Sequence, residues 1–262
     1  MTDRPFQVER RAHGVVWLTL DCPEIHNAFD DRLIALLTRQ LEVVGADEDV
    51  RVVVLTGAGR SFSAGADLNW MRRTATYGEA ENLADARALA RLMQTLNEVP
   101  KPTVARVNGA ALGGGTGLVA CCDIVIASDR ATFGTTEVRL GLIPAVIGPY
   151  VLAAVGARHA RRLMLTGERI SAAEAARLGL VHEVVAAEQL DAAVERVVAE
   201  VLKGGPAALT AAKRLIGDLA GRPITPELID GTAQRIAALR ATAEAKEGVG
   251  AFLEKRPPGW SD

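Results

Sequence analysis

The sequence predicts an α/β fold that ends in a helical region, and three observations carry that reading. Short β-branched and apolar runs alternate with helical patterns as far as residue 185, a glycine-rich apolar stretch sits at the centre of the alternation, and beyond Glu188 every patterned segment has helical spacing. The expected division is a core over residues 1–203 and a helical region over residues 204–262.

Residues 6–10 and 14–20 read as two short strands joined through Ala12-His13-Gly14, a hairpin signal, and Cys22-Pro23 ends the second. Asp30 is an N-cap for a helix whose apolar residues Leu33, Leu36, Leu37, Leu41 and Val44 recur at helical spacing. The run Val52-Val53-Val54-Leu55-Thr56 predicts a strand over residues 51–56, and the loop Ser61-Phe62-Ser63-Ala64-Gly65-Ala66-Asp67-Leu68 follows it. Residues 79–99 carry Leu83, Ala86, Leu89, Ala90, Met93 and Leu96 on one helical face, and Pro100 and Pro102 stop that helix. Residues 102–149 then hold a buried-strand pattern, the triplet Gly113-Gly114-Gly115, a short helix over residues 116–121, a second apolar strand, and Glu137 in uncharged surroundings. A helix over residues 157–165 ends at Thr166-Gly167. Ser171 and Glu174 have the spacing of a capping box, with Gly179 as C-terminal cap. Residues 181–185 read as a last strand, and helices are expected over residues 189–202, 206–220 and 226–247.

Composition narrows the function. The net charge of −2 and the absence of a basic stripe argue against nucleic acid as a partner, which needs concentrated positive surface. Cys22, Cys121 and Cys122 are too few for a disulfide framework and lack metal-ligand spacing, so they read as reduced packing residues and no metal site is expected. Met1-Thr2-Asp3-Arg4-Pro5 has neither an apolar leader core nor transit-peptide character, so a cytoplasmic protein is expected. Residues 140–157 carry no charge and reach the length of a spanning helix, but Gly141, Pro144, Gly148, Pro149 and Gly156 interrupt them. A pocket wall fits that stretch better than a membrane helix.

The glycines bear on chemistry. Three in a row either let a helix pack closely on a strand or leave backbone N–H groups free at a helix N-terminus, where negative charge is stabilised. The Ser61-to-Leu68 loop offers further free amides. Two loops aiming N–H groups at one point suit a thioester carbonyl that becomes an enolate. Neither a P-loop ending nor the dinucleotide-binding glycine spacing is present.

Together SFSAGADL, VNGAALGGGTGLVACCDIVIA and TFGTTEVRLGLIPA resemble the crotonase (enoyl-CoA hydratase/isomerase) superfamily, and the resemblance runs from Val15 to Arg256. AGADLNWM, LVACCD and EVRLGLIPAVIGPYV further resemble the methylglutaconyl-CoA and isohexenylglutaconyl-CoA hydratase type. The resemblance implies a spiral of ββα units whose terminal helices pack across subunits in a trimer or a dimer of trimers. It implies an acyl-CoA substrate with no further cofactor, an oxyanion hole from the backbone N–H groups of Ala66 and Gly114, and Glu137 as catalytic acid–base group. CoA or substrate contacts carry over to Asn27, Ala28, Ala64, Asp67, Leu68, Lys255 and Arg256. For Asn27-Ala28 the alternative is an ordinary strand-to-helix turn, and for Lys255 and Arg256 a solvated tail. Asn69 stands where many relatives carry a phosphate-binding lysine.

One departure matters. The familiar hydratases use two glutamates, and at the position matching the first this chain has Gly117. The second role in hydration then falls to another group or to an ordered water, with Thr116, Thr135 and Thr136 as candidates. The leading expectation is a hydratase for a branched or carboxylated enoyl-CoA. Arg72, Arg73, Arg87 and Arg91 read as solvated surface, with the alternative that one of them meets a distal carboxylate. A double-bond isomerase using Glu137 alone and a non-catalytic acyl-CoA-binding protein are the alternatives. A hydrolase is disfavoured, because Ser61, Ser63 and the four histidines have no triad spacing.

Overall fold

The computed structural model describes residues 5–261, so most of the amino-terminal stretch weighed above lies outside the described residues. Strands β1 (Phe6–Arg10) and β2 (Val15–Leu20) form the expected hairpin, from Phe6 opposite Leu20 to Arg10 opposite Val16. Helix α1 (Asp31–Ala46) starts where Asp30 accepts a hydrogen bond from Leu33 N at 2.9 Å. Strand β3 (Val52–Gly57) then lies parallel to β2.

From here the chain repeats a pattern. The short strand β4 (Ser61–Ser63) leaves the plane of β3, and helices α2 (Leu68–Thr74) and α3 (Glu79–Glu98) follow. Strands β5 (Thr103–Val107) and β6 (Ala110–Leu112) precede α4 (Gly114–Cys121), and β7 (Ile124–Ser128) and β8 (Thr132–Gly134) precede α5 (Gly148–Thr166). The elements β9 (Ile170–Ser171), α6 (Ala172–Arg177) and β10 (Glu183–Val185) complete the spiral. The first strand of each pair joins a six-stranded sheet ordered β1-β2-β3-β5-β7-β10, and the short strands form a second sheet ordered β4-β6-β8-β9. Successive ββα units thus wind between two sheets.

Both faces of the larger sheet are covered, which explains why all six residues of β3 are buried. Because side chains alternate along a strand, Val53 and Leu55 enter the main core with Leu33, Leu37 and Leu41 of α1. Val52 and Val54 face the other way, toward Leu190, Val194 and Val198 of helix α7 (Leu190–Leu202).

Several boundaries differ from expectation. Only Leu92, Met93 and Leu96 of α3 are buried, and Leu83 is 48% exposed, because the amino half of α3 stands off the core beside α2. There Trp70 Nε1 donates to Asp85 at 3.2 Å. Helix α5 begins nine residues earlier than predicted and is broken at Gly156 (φ 72°, ψ 162°), so the breaker-rich stretch hides a helical turn. The capping box at Ser171 is half formed: Ser171 Oγ accepts from Glu174 N, while Arg162 and Arg177 take the Glu174 carboxylate and hold its pKa down at about 2. In the terminal region α8 (Pro206–Leu219) matches expectation, but residues 226–247 divide into α9 (Pro226–Arg240) and α10 (Ala243–Glu254), where Thr242 caps a new start by accepting from Ala245 N.

The terminal region is tied to the core by half-buried polar links. Arg51 donates to the carbonyls of Leu202, Gly204 and Trp260, and Lys213 bridges to Asp123 at 2.8 Å and to Lys101 O at 3.1 Å. Among the described residues no helix is long and apolar enough to cross a membrane.

Because Asp30 fixes the entry into α1, Asp30→Ala is expected to lower the unfolding free energy by about 1 kcal/mol. Asp30→Asn should retain most of that stability, and urea titration of the three proteins measures the difference.

Candidate active site

The site is built where two loops meet. In the first, Ser63 Oγ donates to Asn27 O at 2.8 Å and accepts from Gly65 N, and Gly65 takes a left-handed φ of 86°. Phe29 N donates to Gly65 O at 2.8 Å and Asp67 N donates to Phe29 O at 3.1 Å. This one-residue parallel bridge uses the groups on either side of Ala66, so Ala66 N–H points away from it and has no acceptor among the described residues.

In the second loop Gly113 (φ 52°, ψ −123°) precedes α4, and its N–H donates to Gly134 O at 2.8 Å. Gly114 N–H is the first of the helix, where intrahelical acceptors are lacking, and it too has no acceptor among the described residues. The loops touch backbone to backbone. A Cβ on Gly65 would lie 2.7 Å from Leu112 O and 3.5 Å from Gly114 N, and a Cβ on Gly115 would lie 2.5 Å from Ser63 O. On Gly114 it would meet Phe29 Cζ at 2.2 Å. Both readings of the glycine triplet therefore hold at different residues: Gly115 permits close packing, and Gly114 also leaves an N–H free.

Glu137 comes to the same place. It opens a 3-10 turn, Glu137–Leu140, and its Oε1 lies 3.3 Å from where a Cβ on Gly113 would be. Its Oε2 is buried without a hydrogen-bond partner. Burial pushes the Glu137 carboxyl pKa above the ordinary range, and only its own backbone N–H opposes the shift. The wall beyond it is apolar: Pro144, Ile147, Val151 and Val155 are buried, whereas Leu140, Leu142 and Ile143 are uncovered in the single chain.

Of the residues expected to assist, Thr116 is committed elsewhere, donating to Ala111 O at 2.7 Å and accepting from Gly134 N. Thr135 is buried with an unpartnered hydroxyl. Beside Gly117 there is no gap left by an absent side chain. A Cβ there would lie 2.2 Å from Ile147 Cγ2 and 3.2 Å from Met93 Cε.

The expected CoA contacts divide. The Asn27 side chain is fully buried, accepts from Cys22 N and donates to Ala58 O and Ser61 O, so it builds the turn. Ala28 is half-buried, Ala64 and Leu68 are exposed, and Asp67 spends its carboxylate capping α2 through Asn69 N and Trp70 N. Lys255 and Arg256 are not brought to this site within one chain. They end α10 near the tail that binds Arg51 at the amino end of β3, whereas the Ala66 loop leaves its carboxyl end. Arg256 is also held by Glu247 and Glu254.

Sequence reasoning missed three neighbours. Phe29 braces Gly114, Ile147 covers Gly117, and Arg60 lies 2.9 Å from His26 Nε2 at the head of the first loop. His26 Nδ1 lies 3.0 Å from Ser61 Oγ. Only the cation beside a loop of free amides carried a signal in the sequence. Among the described residues no group of three or more His, Cys, Asp or Glu side chains is arranged to hold a metal ion.

A family model described as enoyl-CoA hydratase/isomerase matches residues 10–262. The chain is 35% identical to the 2,3-dehydroadipyl-CoA hydratase of Escherichia coli, across 95% of each chain, and 36% identical to the 1,2-epoxyphenylacetyl-CoA isomerase of the same organism, across 94% of each. The crystal structure of an enoyl-CoA hydratase from Shewanella pealeana superposes with a TM-score of 0.95 at 43% identity, covering 99% of this chain and 97% of that one.

The raised pKa of Glu137 makes a stability prediction. A carboxyl whose folded-state pKa lies above its unfolded value contributes stability below the unfolded value and loses it as pH rises through the folded one. Glu137→Gln is therefore expected to melt at a higher temperature than the parent at pH 7–8, with the gap closing at or below about pH 4.5, the ordinary carboxyl range.

Proposed function

The chain belongs to the enoyl-CoA hydratase/isomerase family, and from that premise we propose that it is a hydratase that adds water to an α,β-unsaturated acyl-CoA with Glu137 as its one acid–base group. The observation that carries this is the buried, unpartnered Glu137 Oε2 beside two backbone N–H groups without acceptors. The thioester oxygen binds between the N–H groups of Ala66 and Gly114. The Glu137 carboxylate takes a proton from water as the water oxygen bonds to Cβ. The displaced π electrons pass through Cα to the thioester oxygen, and the two N–H groups hold that enolate, each worth on the order of 3–4 kcal/mol. The protonated Glu137 then returns its proton to Cα, so one carboxyl performs both transfers and ends as it began. No cofactor beyond the CoA thioester is needed.

A branched or carboxylated acyl group of the methylglutaconyl-CoA kind is the substrate class we favour. The E. coli hydratase relative, named for 2,3-dehydroadipyl-CoA, supports it. Arg73 and Arg91 are already paired with Asp31 and Glu42, which leaves Arg72 and Arg87 as candidates for a distal carboxylate. Ala28, Ala64 and Leu68 would line the approach, and Arg60, which precedes the loop and contacts His26, is a candidate for a CoA phosphate. The isomerase reading has its own support, since Ile147 and Met93 fill the space where a second carboxylate would be needed. A non-catalytic role is disfavoured by the retained, desolvated Glu137. We also propose a homo-oligomer, trimer or hexamer, assembled through residues 204–262, where Ile224 is 84% and Phe252 82% exposed. In it Lys255 and Arg256 would reach a neighbour's CoA. Buried thiols at Cys121 and Cys122 fit a cytoplasmic setting.

Incubation with crotonyl-CoA, 3-methylglutaconyl-CoA and a 3-enoyl-CoA tests the reading by chromatography and mass spectrometry. Gain of one water on the branched diacid thioester is expected, and conversion without mass gain would hand the assignment to isomerisation. Glu137→Gln should reduce kcat by about 10²–10⁴-fold. Full activity in that variant would remove Glu137 from the chemistry. Light scattering is expected to give three or six copies, and a monomer would overturn the assembly.

A further inference from the structure

We propose that Ile147 is a specificity-determining residue: its side chain seals the α4 side of the site, so that Glu137 is the only route by which protons reach the substrate. This deepens the reading of Glu137 as the one acid–base group and rests on it.

Glu137 meets the start of α4 at Gly113, and Ile147 meets the same helix four residues on, at Gly117. One helical turn, about 5.4 Å, separates the two contacts along the axis. Ile147 is 2% exposed and its backbone is fixed at the head of α5, where its carbonyl accepts from Tyr150 N at 3.1 Å and Val151 N at 3.0 Å. The 2.2 Å approach of Ile147 Cγ2 to the position of a Cβ on Gly117 excludes even alanine there, and Ile147 Cβ lies only 2.9 Å away. Met93 Cε closes the other flank. Isoleucine is stiff about χ1 and offers no polar atom, and a buried water needs two or more polar partners. No neighbouring charge contributes to the upward shift of the Glu137 carboxyl, which burial produces. Gly117 and Ile147 are thus one steric unit, the missing side chain and its replacement.

The consequence is a product ratio. With the wall intact, an enolate formed from a 3-enoyl-CoA can be reprotonated only by Glu137, which favours shifting the double bond. With the wall opened, a second water reaches the double bond and hydration gains.

The test is a 3-enoyl-CoA turned over by the parent, Ile147→Ala, Ile147→Thr and Ile147→Val, with products separated by chromatography and mass. Ile147→Ala and Ile147→Thr are expected to raise the ratio of hydrated to isomerised product about tenfold and to move the acidic limb of the pH profile of kcat/KM downward by about half a unit or more, as water relieves the desolvation of Glu137. Ile147→Val should stay near the parent on both readouts. Should Ile147→Ala fail to fold, Ile147→Thr keeps the branched shape and carries the test. Lower kcat/KM with the ratio and the acidic limb unmoved would overturn the proposal. Glu137→Gln assayed alongside separates the two failures: activity in that variant refutes the single-acid reading, whereas an inactive Glu137→Gln with unresponsive Ile147 variants refutes the seal alone.

Discussion

The backbone contact between the Ser63-to-Ala66 loop and the Leu112-to-Gly115 loop is the constraint on which the site depends. Neither loop can be moved outward without separating the two free N–H groups, and neither can carry a Cβ at the contact without steric overlap at 2.7 Å or less. Each loop begins as a short strand of the second sheet, β4 or β6, so the contact inherits its register from the pairing of Ser61 with Ala110 and Ser63 with Ala111. Phe29, bridged to Ala66 and pressed on Gly114, locks the pair from the α1 side. The site is therefore a by-product of how successive ββα units stack, not a feature of any one of them.

Against that rigid frame Glu137 is deliberately uncomfortable. A buried carboxyl oxygen with no partner costs stability, and such costs are tolerated at sites that use the group. The cost is contained because the turn that carries Glu137 ends in Gly141, whose N–H bonds back to Val138 O at 3.2 Å, while Leu142 N bonds to Glu137 O at 3.1 Å. The backbone of the turn is thus bonded while Glu137 Oε2 and the nearby Thr135 hydroxyl are left without partners. The same economy runs through Thr116, whose hydroxyl is spent on β6 and β8 and is thereby withheld from chemistry.

The far end of the molecule works differently. Arg51 and Lys213 fasten the terminal region to the core by charge-assisted bonds, Arg51 to the carbonyls of Leu202 and Gly204 and Lys213 to the Asp123 carboxylate, while Glu244 ties α10 to α8 by accepting from Ala207 N and Ala208 N. Packing contributes less there, since α8 and α9 bury no residue fully. The apolar side chains that stay uncovered in this region are the ones the proposed assembly would cover.

What the sequence determined by itself was local: the β-branched run that became β3, the Asp30 cap, the glycine triplet, the SFSAGADL loop and Glu137 all carry their signal within a few residues, because propensity, capping and φ preference act at that range. The family could be read for the same reason, since its motifs are contiguous. Tertiary structure alone decided what meets what. It turned the Asn27 side chain inward, drew the Glu174 carboxylate from its cap to two arginines, left half of α3 outside the core, and filled the place above Gly117 with Ile147, thirty residues away. Those outcomes depend on the distance between segments after the spiral has closed, and no periodicity along one chain encodes that distance.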